Sequence, residues 1–253
     1  MELSVIIMTY NEDSNIERCL KSLPEGVEII VVDSGSTDKT VEIAEKYGAK
    51  IYLNKMENFG AQRNFGHDRA TNEWLLFMDA DEELSPMLKE KIPQLISNNE
   101  GIIGFDIRRL NYVLGKRMNH CLNPDHVLRL FNKHFARYEG EVHEKAVPTG
   151  KKVVRIEFPI LHYTFQSVAH YFDKMNKYST IEAQKLFKQR AQFRWDILIS
   201  RSWAMFTQVL TGKKGFLDGT RGLILAMMEG IQSFLIYAKL YELYENEKLN
   251  KNK

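Results

Sequence analysis

Trp74-Leu75-Leu76-Phe77-Met78-Asp79-Ala80-Asp81-Glu82-Glu83 is the stretch on which the reading of this chain turns. Its first five residues are an unbroken apolar run, of the length and kind expected for a strand buried on both faces. The run ends on two aspartates spaced i, i+2. In extended backbone such residues point to one side, so both carboxylates face one way where the strand leaves its sheet. Glu82 and Glu83 bring four acidic groups into five residues. Carboxylates crowded in this way repel one another unless a cation sits among them, and their oxygens suit Mg2+ or Mn2+. The plainer alternative is a solvated acidic turn, with Glu82 and Glu83 as acids at the N-terminus of the next helix.

Upstream, apolar β-branched runs recur between helical patterns. Leu3 to Thr9 reads as a buried strand. Ser14 with Glu17 forms a capping-box pattern, and Ile16, Cys19, Leu20 and Leu23 follow at helical spacing until Pro24 and Gly26. Val27 to Val32 is a second strand, closed by Asp33-Ser34-Gly35-Ser36-Thr37-Asp38. A helix then runs to Tyr47, with Gly48 as its cap. Lys50 to Leu53 is a third strand and Gly60 to Ala70 a helix. After the acidic cluster, Ser85 caps a helix with Pro86 in its first position. This β-α-β-α-β-α-β order predicts an α/β fold, a mostly parallel sheet with helices on both faces. Ligands of such sheets bind beyond the carboxyl ends of the strands. Thr9-Tyr10-Asn11-Glu12, Asp33 and Asp79/Asp81 all come to such ends. Thr9 and Asp33 also suit the plainer task of capping the helices that follow.

Downstream, short strands at Ile102–Arg108, Val127–Phe131 and Val153–Phe158 alternate with polar loops. From Ser167 the pattern is helical, with breaks near 212–215 and 219–222. The expected division is therefore a domain over 1–165 and a helical region over 166–253. Gly222 to Ala238 is the most apolar segment. It is shorter than the roughly 20 residues of a membrane span, and Glu229, Gln232 and Ser233 interrupt it. It reads as a helix buried against the domain or lying in a membrane interface. Lys185, Lys188, Arg190, Arg194, Arg201, Lys213, Lys214 and Arg221 precede it, interleaved with Phe187, Phe193, Trp195 and Trp203. That mixture suits peripheral contact with anionic lipid headgroups. An ordinary helical appendage or a homo-oligomer face is the competing use.

Charge is divided unevenly. Residues 1–100 hold ten Lys/Arg against nineteen Asp/Glu, net −9, and residues 101–253 hold twenty-five against fourteen, net +11. The acidic part suits a metal-assisted site and the basic part an anionic partner. No nucleic-acid motif accompanies the basic residues, which are spread rather than striped, so no nucleic-acid partner is expected. Two cysteines, Cys19 and Cys121, in unrelated settings argue against a disulfide framework and a cysteine metal site, and suit a reducing cytoplasm. Met1-Glu2 leads into a strand without a basic n-region, so no signal peptide is expected. A dinucleotide fold needs Gly-x-Gly-x-x-Gly where Thr9-Tyr10-Asn11-Glu12 stands, and no P-loop occurs. His143-Glu144 begins like a zinc-protease helix, but position 147 is Val.

Four pieces together resemble the inverting nucleotide-sugar glycosyltransferases of the GT-A fold, in the family two group. They are Ser4 to Glu12, Ile29 to Asp38, Gly60-Ala61-Gln62-Arg63-Asn64 and Phe77 to Glu82. Arg129-Leu130-Phe131, Val142-His143-Glu144 and Leu217-Asp218-Gly219 are similar to signatures of the lipopolysaccharide core glucosyltransferase subgroup. The resemblance implies a Rossmann-like GT-A domain that moves a hexose, with glucose first, from a UDP-sugar to a lipid-linked oligosaccharide acceptor. It places Thr9, Tyr10 and Glu12 around the nucleoside, Asp33 on uracil or ribose, and Arg63 facing the nucleotide. Asp79 would bind ribose or a metal-bound water, Asp81 the Mn2+ or Mg2+ ion, and His162 would complete the metal or diphosphate site. The base corresponds best to Glu144, with Asp125 second and His143 orienting the base or holding the acceptor. The family pattern more often has Glu-Asp where this chain has His143-Glu144. Glu144 also reads as a surface residue of a charged loop, Arg63 as a solvated helix residue, and His162 as a hydrogen-bonded core histidine. A lipid-linked acceptor fits an enzyme held peripherally on the inner face of the cell membrane. Transfer to a peptide or protein is the alternative within enzymes. A non-catalytic GT-A scaffold is the alternative outside them, disfavoured by the intact Asp79/Asp81 pair.

Overall fold

The computed structural model describes residues 2–55, 58–123, 125–140, 144–150, 152–165 and 167–251. They form two compact units, residues 1–110 with 124–163 and residues 111–123 with 164–253.

In the first unit β1 (Leu3–Thr9), β2 (Glu28–Asp33), β3 (Lys50–Leu53) and β4 (Trp74–Asp79) lie parallel. Helices α1 (Ile16–Lys21), α2 (Thr40–Lys46) and α3 (Phe59–His67) connect them. There follow in chain order β5 (Glu82–Leu84), α4 (Pro86–Ser97), β6 (Ile102–Val113), β7 (Lys116–Arg117, which belongs to the second unit), β8 (His126–Asn132), β9 (Ala136–Glu139), β10 (Lys145–Pro148) and β11 (Lys152–Phe165). The main sheet has the order β3-β2-β1-β4-β8-β6-β11-β5. Its first half is parallel, as the alternation of strands and helices predicts. Its second half is mixed: β8 runs antiparallel to β4 and to β6, and β11 antiparallel to β5. No helix separates β6, β8 and β11, so no crossover is available to return the chain in parallel.

Alternation along β1 builds two apolar layers. Val5 and Ile7 pack with Leu76 and Met78 of β4 and with Cys19 and Leu20 of α1. On the opposite face Ile6 packs with Ile30, Val32, Phe77, Phe131 and Tyr138. Ser85 caps α4 as expected, its Oγ accepting from the Leu88 N–H at 3.2 Å. The expected capping box at Ser14 and Glu17 does not form. Asn15 holds the cap position, with no side-chain cap bond. Its amide is occupied instead, donating to Glu12 and accepting from Arg18, both at 2.7 Å.

The second unit contains residues 111–123, α5 (Val168–Lys188), α6 (Trp195–Thr207), a π-helical turn at Gln208–Gly212, a 3-10 turn at Gly215–Asp218, and α7 (Thr220–Lys251). Asp218 fixes one loop here. Its carboxylate accepts from the backbone N–H groups of Asn119, His120 and Cys121 at 2.9, 3.2 and 2.9 Å. Gly219 follows at φ +63°, and a Cβ on Gly222 would collide with the carbonyl of Gly215. The Leu217-Asp218-Gly219 stretch is thus a structural clasp. The apolar segment expected at 222–238 is part of a longer helix, the 32-residue α7. By length and composition one 18-residue window of α7 is apolar enough to cross a membrane, and 33% of that window is buried.

Candidate active site

Strand register brings the sequence-predicted residues of the parallel strands to one rim. Thr9 lies opposite Asp33, Met8 opposite Asp79, and Asp33 opposite Leu53. The loops after β1 and β2 are sewn together beyond that rim. Asn11, at φ +52°, adopts the left-handed conformation that Asn tolerates better than most residues. Its N–H donates to Ser36 Oγ, and its side-chain oxygen accepts from the Thr37 N–H, both at 2.8 Å. The Glu12 N–H donates to Thr40 Oγ1 at 2.8 Å. Asp33 is buried, and one carboxylate oxygen accepts from the N–H groups of Gly35 and Ser36 at 2.8 Å each. Its other oxygen takes the Ser36 hydroxyl. Asp33 therefore organises the β2 turn before any ligand arrives. Tyr10 is exposed, whereas Thr9 Oγ1 is buried without a hydrogen-bond partner among the described residues.

Helix α3 carries Gly60-Ala61-Gln62-Arg63-Asn64, and each polar residue of that run has a partner from another element. Gln62 donates to Ser34 Oγ and to the Asn54 carbonyl at 3.0 Å each, tying the β2 and β3 loops together. Asn64 donates to the Tyr138 carbonyl at 2.8 Å and accepts from the Tyr138 N–H at 3.1 Å, clamping β9. A Cβ on Gly60 would strike the carbonyl oxygen of Gly140, at the end of β9. β9 pairs with β10, and Glu144 immediately precedes β10. Gly60→Ala is accordingly expected to push this hairpin away and lower transfer about a hundredfold, with far-UV circular dichroism unchanged. Steady-state rates of the variant test this; wild-type rates would mean that Glu144 tolerates the displacement.

Arg63 is the hub of a buried charge cluster, contrary to the reading of a solvated helix arginine. Its side chain is 5% exposed; Nη2 lies 2.7 Å from Asp79 Oδ1 and Nε 2.8 Å from Glu144 Oε1. Arg129 Nη2 lies 2.7 Å from the second Asp79 oxygen and 3.4 Å from Glu82 Oε1. Arg109 reaches the same Glu82 oxygen at 3.3 Å and Asp125 at 2.7 Å. Glu82 also accepts the Asp79 N–H at 2.9 Å. Burial alone would raise the Asp79 carboxyl, but Arg129 and Arg63, with Arg109 and His162 beyond them, hold it well below the ordinary carboxylate range. Burial likewise disfavours the charged guanidiniums, and for Arg129 the Asp79 and Glu82 carboxylates more than restore the charge. Glu82 is a fully buried residue of β5, not a helix N-terminal acid. Arg63 Nη1 is buried with no partner among the described residues.

Asp81 and His162 are brought together from separate elements. β11 lies beside β5 with His162 opposite Glu82, and the Tyr163 N–H donates to the Asp81 carbonyl at 2.9 Å. His162 Nε2 stands 3.7 Å from Asp81 Oδ1. Among the described residues no three His, Cys, Asp or Glu side chains form a ready-made metal cage. One carboxylate and one imidazole nonetheless fit a divalent cation that takes its remaining ligands from a substrate diphosphate and water, as Mg2+ commonly does. Both oxygens of Asp79 are already committed to arginines, which leaves Asp81 as the better ligand of the pair. His143 lies outside the described residues. The sequence marks Arg129 only as part of a subgroup signature and Glu82 only as a clustered acid or a helix N-terminal one, and nothing in it singles out Arg109. A charged residue inside the apolar strand pattern of β8 was the available signal for Arg129.

The family is decided by a model of glycosyl transferase family 2, which matches residues 4–155. The chain belongs to that family. This glycosyltransferase is 28% identical over 254 residues to the lipopolysaccharide core biosynthesis glycosyltransferase LpsC of Rhizobium meliloti, covering 96% of this chain and 93% of the relative. It is 31% identical over 256 residues to an uncharacterized glycosyltransferase of Rickettsia bellii, covering 96% and 87%. Among solved structures it is similar to S. aureus TarS 1-349 in complex with UDP-GlcNAc. That similarity has a TM-score of 0.49 and 16% identity, and covers 92% of this chain and 82% of that one. The parallel β3-β2-β1-β4 half-sheet extended by antiparallel strands is the GT-A arrangement of this glycosyltransferase.

Proposed function

We propose that this glycosyltransferase transfers a hexose, with glucose the first candidate, from a UDP-sugar to a hydroxyl of a lipid-linked glycan, with inversion at the sugar carbon. The observation that carries the reading is the rim itself. Asp79 and Asp81 leave β4 beside the Thr9 and Asp33 strand ends, with Arg63 joining Asp79 to Glu144. The name of the Rhizobium relative supports a lipopolysaccharide-core type of acceptor.

In this reading Thr9, Tyr10, Glu12 and the turn built on Asp33 bind the nucleoside, and Asp79, fixed by two arginines, meets the ribose. Asp81 and His162 hold Mn2+ or Mg2+. When bound, such an ion supplies Lewis-acid stabilisation of the diphosphate leaving group. Glu144 is the base. Arg63 holds its Oε1, and Oε2 takes the proton of the acceptor hydroxyl as that oxygen bonds to the sugar carbon and the bond to the diphosphate breaks. Asp125, engaged by Arg109, is the second candidate.

A calorimetric panel of UDP, GDP, CMP and dTDP, each with and without Mn2+, tests the donor class. UDP is expected to bind, and more tightly with metal. Asp81→Asn is expected to abolish the metal-dependent part of binding while leaving the melting temperature near wild type. Metal dependence that survives this substitution would remove Asp81 from the site. A panel in which no nucleotide binds would overturn the nucleotide-sugar donor reading.

A further inference from the structure

We infer that α6 and α7 of the second unit present one membrane-binding face, which lies flat on an anionic lipid bilayer. On α6 the side chains of Trp195, Ile199 and Trp203 recur every fourth residue, and these residues are 75%, 59% and 66% exposed. On α7 Met227, Ile231 and Phe234 recur at helical spacing and are 51%, 37% and 43% exposed. Such repeats place each set on one stripe of its helix. The two helices meet where Gly230 approaches the Ser202 carbonyl and Phe206. Phe193, just before α6, meets Tyr241 further along α7 with ring centroids 4.9 Å apart, so the helices run antiparallel. On each helix the exposed stripe borders this seam in the direction of increasing helical angle. In an antiparallel pair of right-handed helices that direction leads to the same face. The two stripes therefore form one apolar plate on either side of the seam.

Charge decides what covers the plate. Residues 188–221 contain seven Lys/Arg and two Asp/Glu. One of the two acids, Asp218, is turned inward with a 4% exposed side chain. Lys188, Lys213 and Lys214 are exposed; Arg201, two residues from Ile199 and from Trp203, lies on the opposite side of α6 and takes no part. A second copy would bring an equally basic surface against this one, and like charges would oppose the contact. An anionic bilayer attracts the same residues while accepting the apolar plate and its two exposed tryptophans. A flat orientation follows from packing. α7 buries Leu225, Ala226 and Met228 within its unit, and its Glu229 accepts a hydrogen bond from the Tyr171 hydroxyl at 3.0 Å. A helix held in that way cannot also be surrounded by lipid. The inference deepens the lipid-linked acceptor reading, but its readout does not depend on transfer.

The full chain is sedimented with vesicles of phosphatidylcholine alone or mixed with phosphatidylglycerol, and UDP binding is measured in parallel. Wild type is expected to pellet with the anionic vesicles, less so as salt is raised. Lys213→Glu/Lys214→Glu is expected to weaken vesicle affinity about thirty-fold or more, and Trp195→Ser/Trp203→Ser at least about tenfold, both with nucleotide binding kept. Three results would each overturn the inference: no anionic-vesicle binding, affinity unchanged in both variants, or retention in membranes after alkaline carbonate, which marks a spanning helix. So would a dimer in light scattering that Trp203→Ser dissolves while vesicles bind nothing. Loss of nucleotide binding in the wild type would count against the donor reading alone.

Discussion

Glu144→Gln is expected to keep nucleotide binding and to lower transfer by about two to four orders of magnitude, the usual cost of removing a general base. Glutamine retains an oxygen for the Arg63 Nε–H, now 2.8 Å from Oε1, so the hairpin that leads to this residue keeps its anchor. What disappears is the second oxygen's affinity for a proton. Single-turnover rates with donor and acceptor, beside calorimetry with UDP, separate the two effects. If transfer in Glu144→Gln stays within about fivefold of wild type, the base lies elsewhere. Asp125, whose carboxylate is 2.7 Å from Arg109 Nε, then becomes the residue to substitute. A loss of nucleotide binding together with transfer would instead make Glu144 a support for Arg63 and Asp79.

Arg129→Ala is expected to have the largest effect on stability. It removes the guanidinium shared by Asp79 and Glu82, and the Glu82 side chain is fully buried. Breaking one partner out of a buried ion pair costs about 3–5 kcal/mol, because the remaining charge stays in a medium that solvates it poorly. In a chain of this size that lowers the melting temperature by roughly 10 °C. The pH dependence has a definite sign. Asp79 is held well below its ordinary value in the folded protein. Its pairing therefore stabilises the fold fully above the ordinary carboxylate range, and that contribution is lost as pH falls towards the lowered value. The difference between wild type and variant should accordingly hold from pH 7 down to the ordinary carboxylate range and narrow from there on further acidification. Thermal melts at pH 7 and in the carboxylate range measure both quantities. A variant melting within about 2 °C of wild type at pH 7 would show that Arg63 and Arg109 neutralise the cluster without it.

Much of the first unit was legible in the sequence because its signals are local. Leu3–Thr9 and Trp74–Asp79 announce buried strands by composition and length alone, and their ends mark the rim where Thr9, Asp33 and Asp79 meet. The Gly60–Asn64 run and the Asp79-Ala80-Asp81 triplet were legible as signatures, without their partners. Partnership was decided by the tertiary structure. Arg63 and Glu144 are 81 residues apart, and Arg129 and Asp79 are 50. No periodicity or spacing spans such intervals, and only strand order and the β9–β10 hairpin bring those side chains within hydrogen-bond distance. Glu82 changed from an expected helix acid to a buried strand residue because β11 offers β5 a pairing edge. The exposed stripes of α6 and α7 were visible as aromatic and basic composition. Their union into one face depended on the antiparallel seam at Gly230, which fixes how each helix is turned about its own axis.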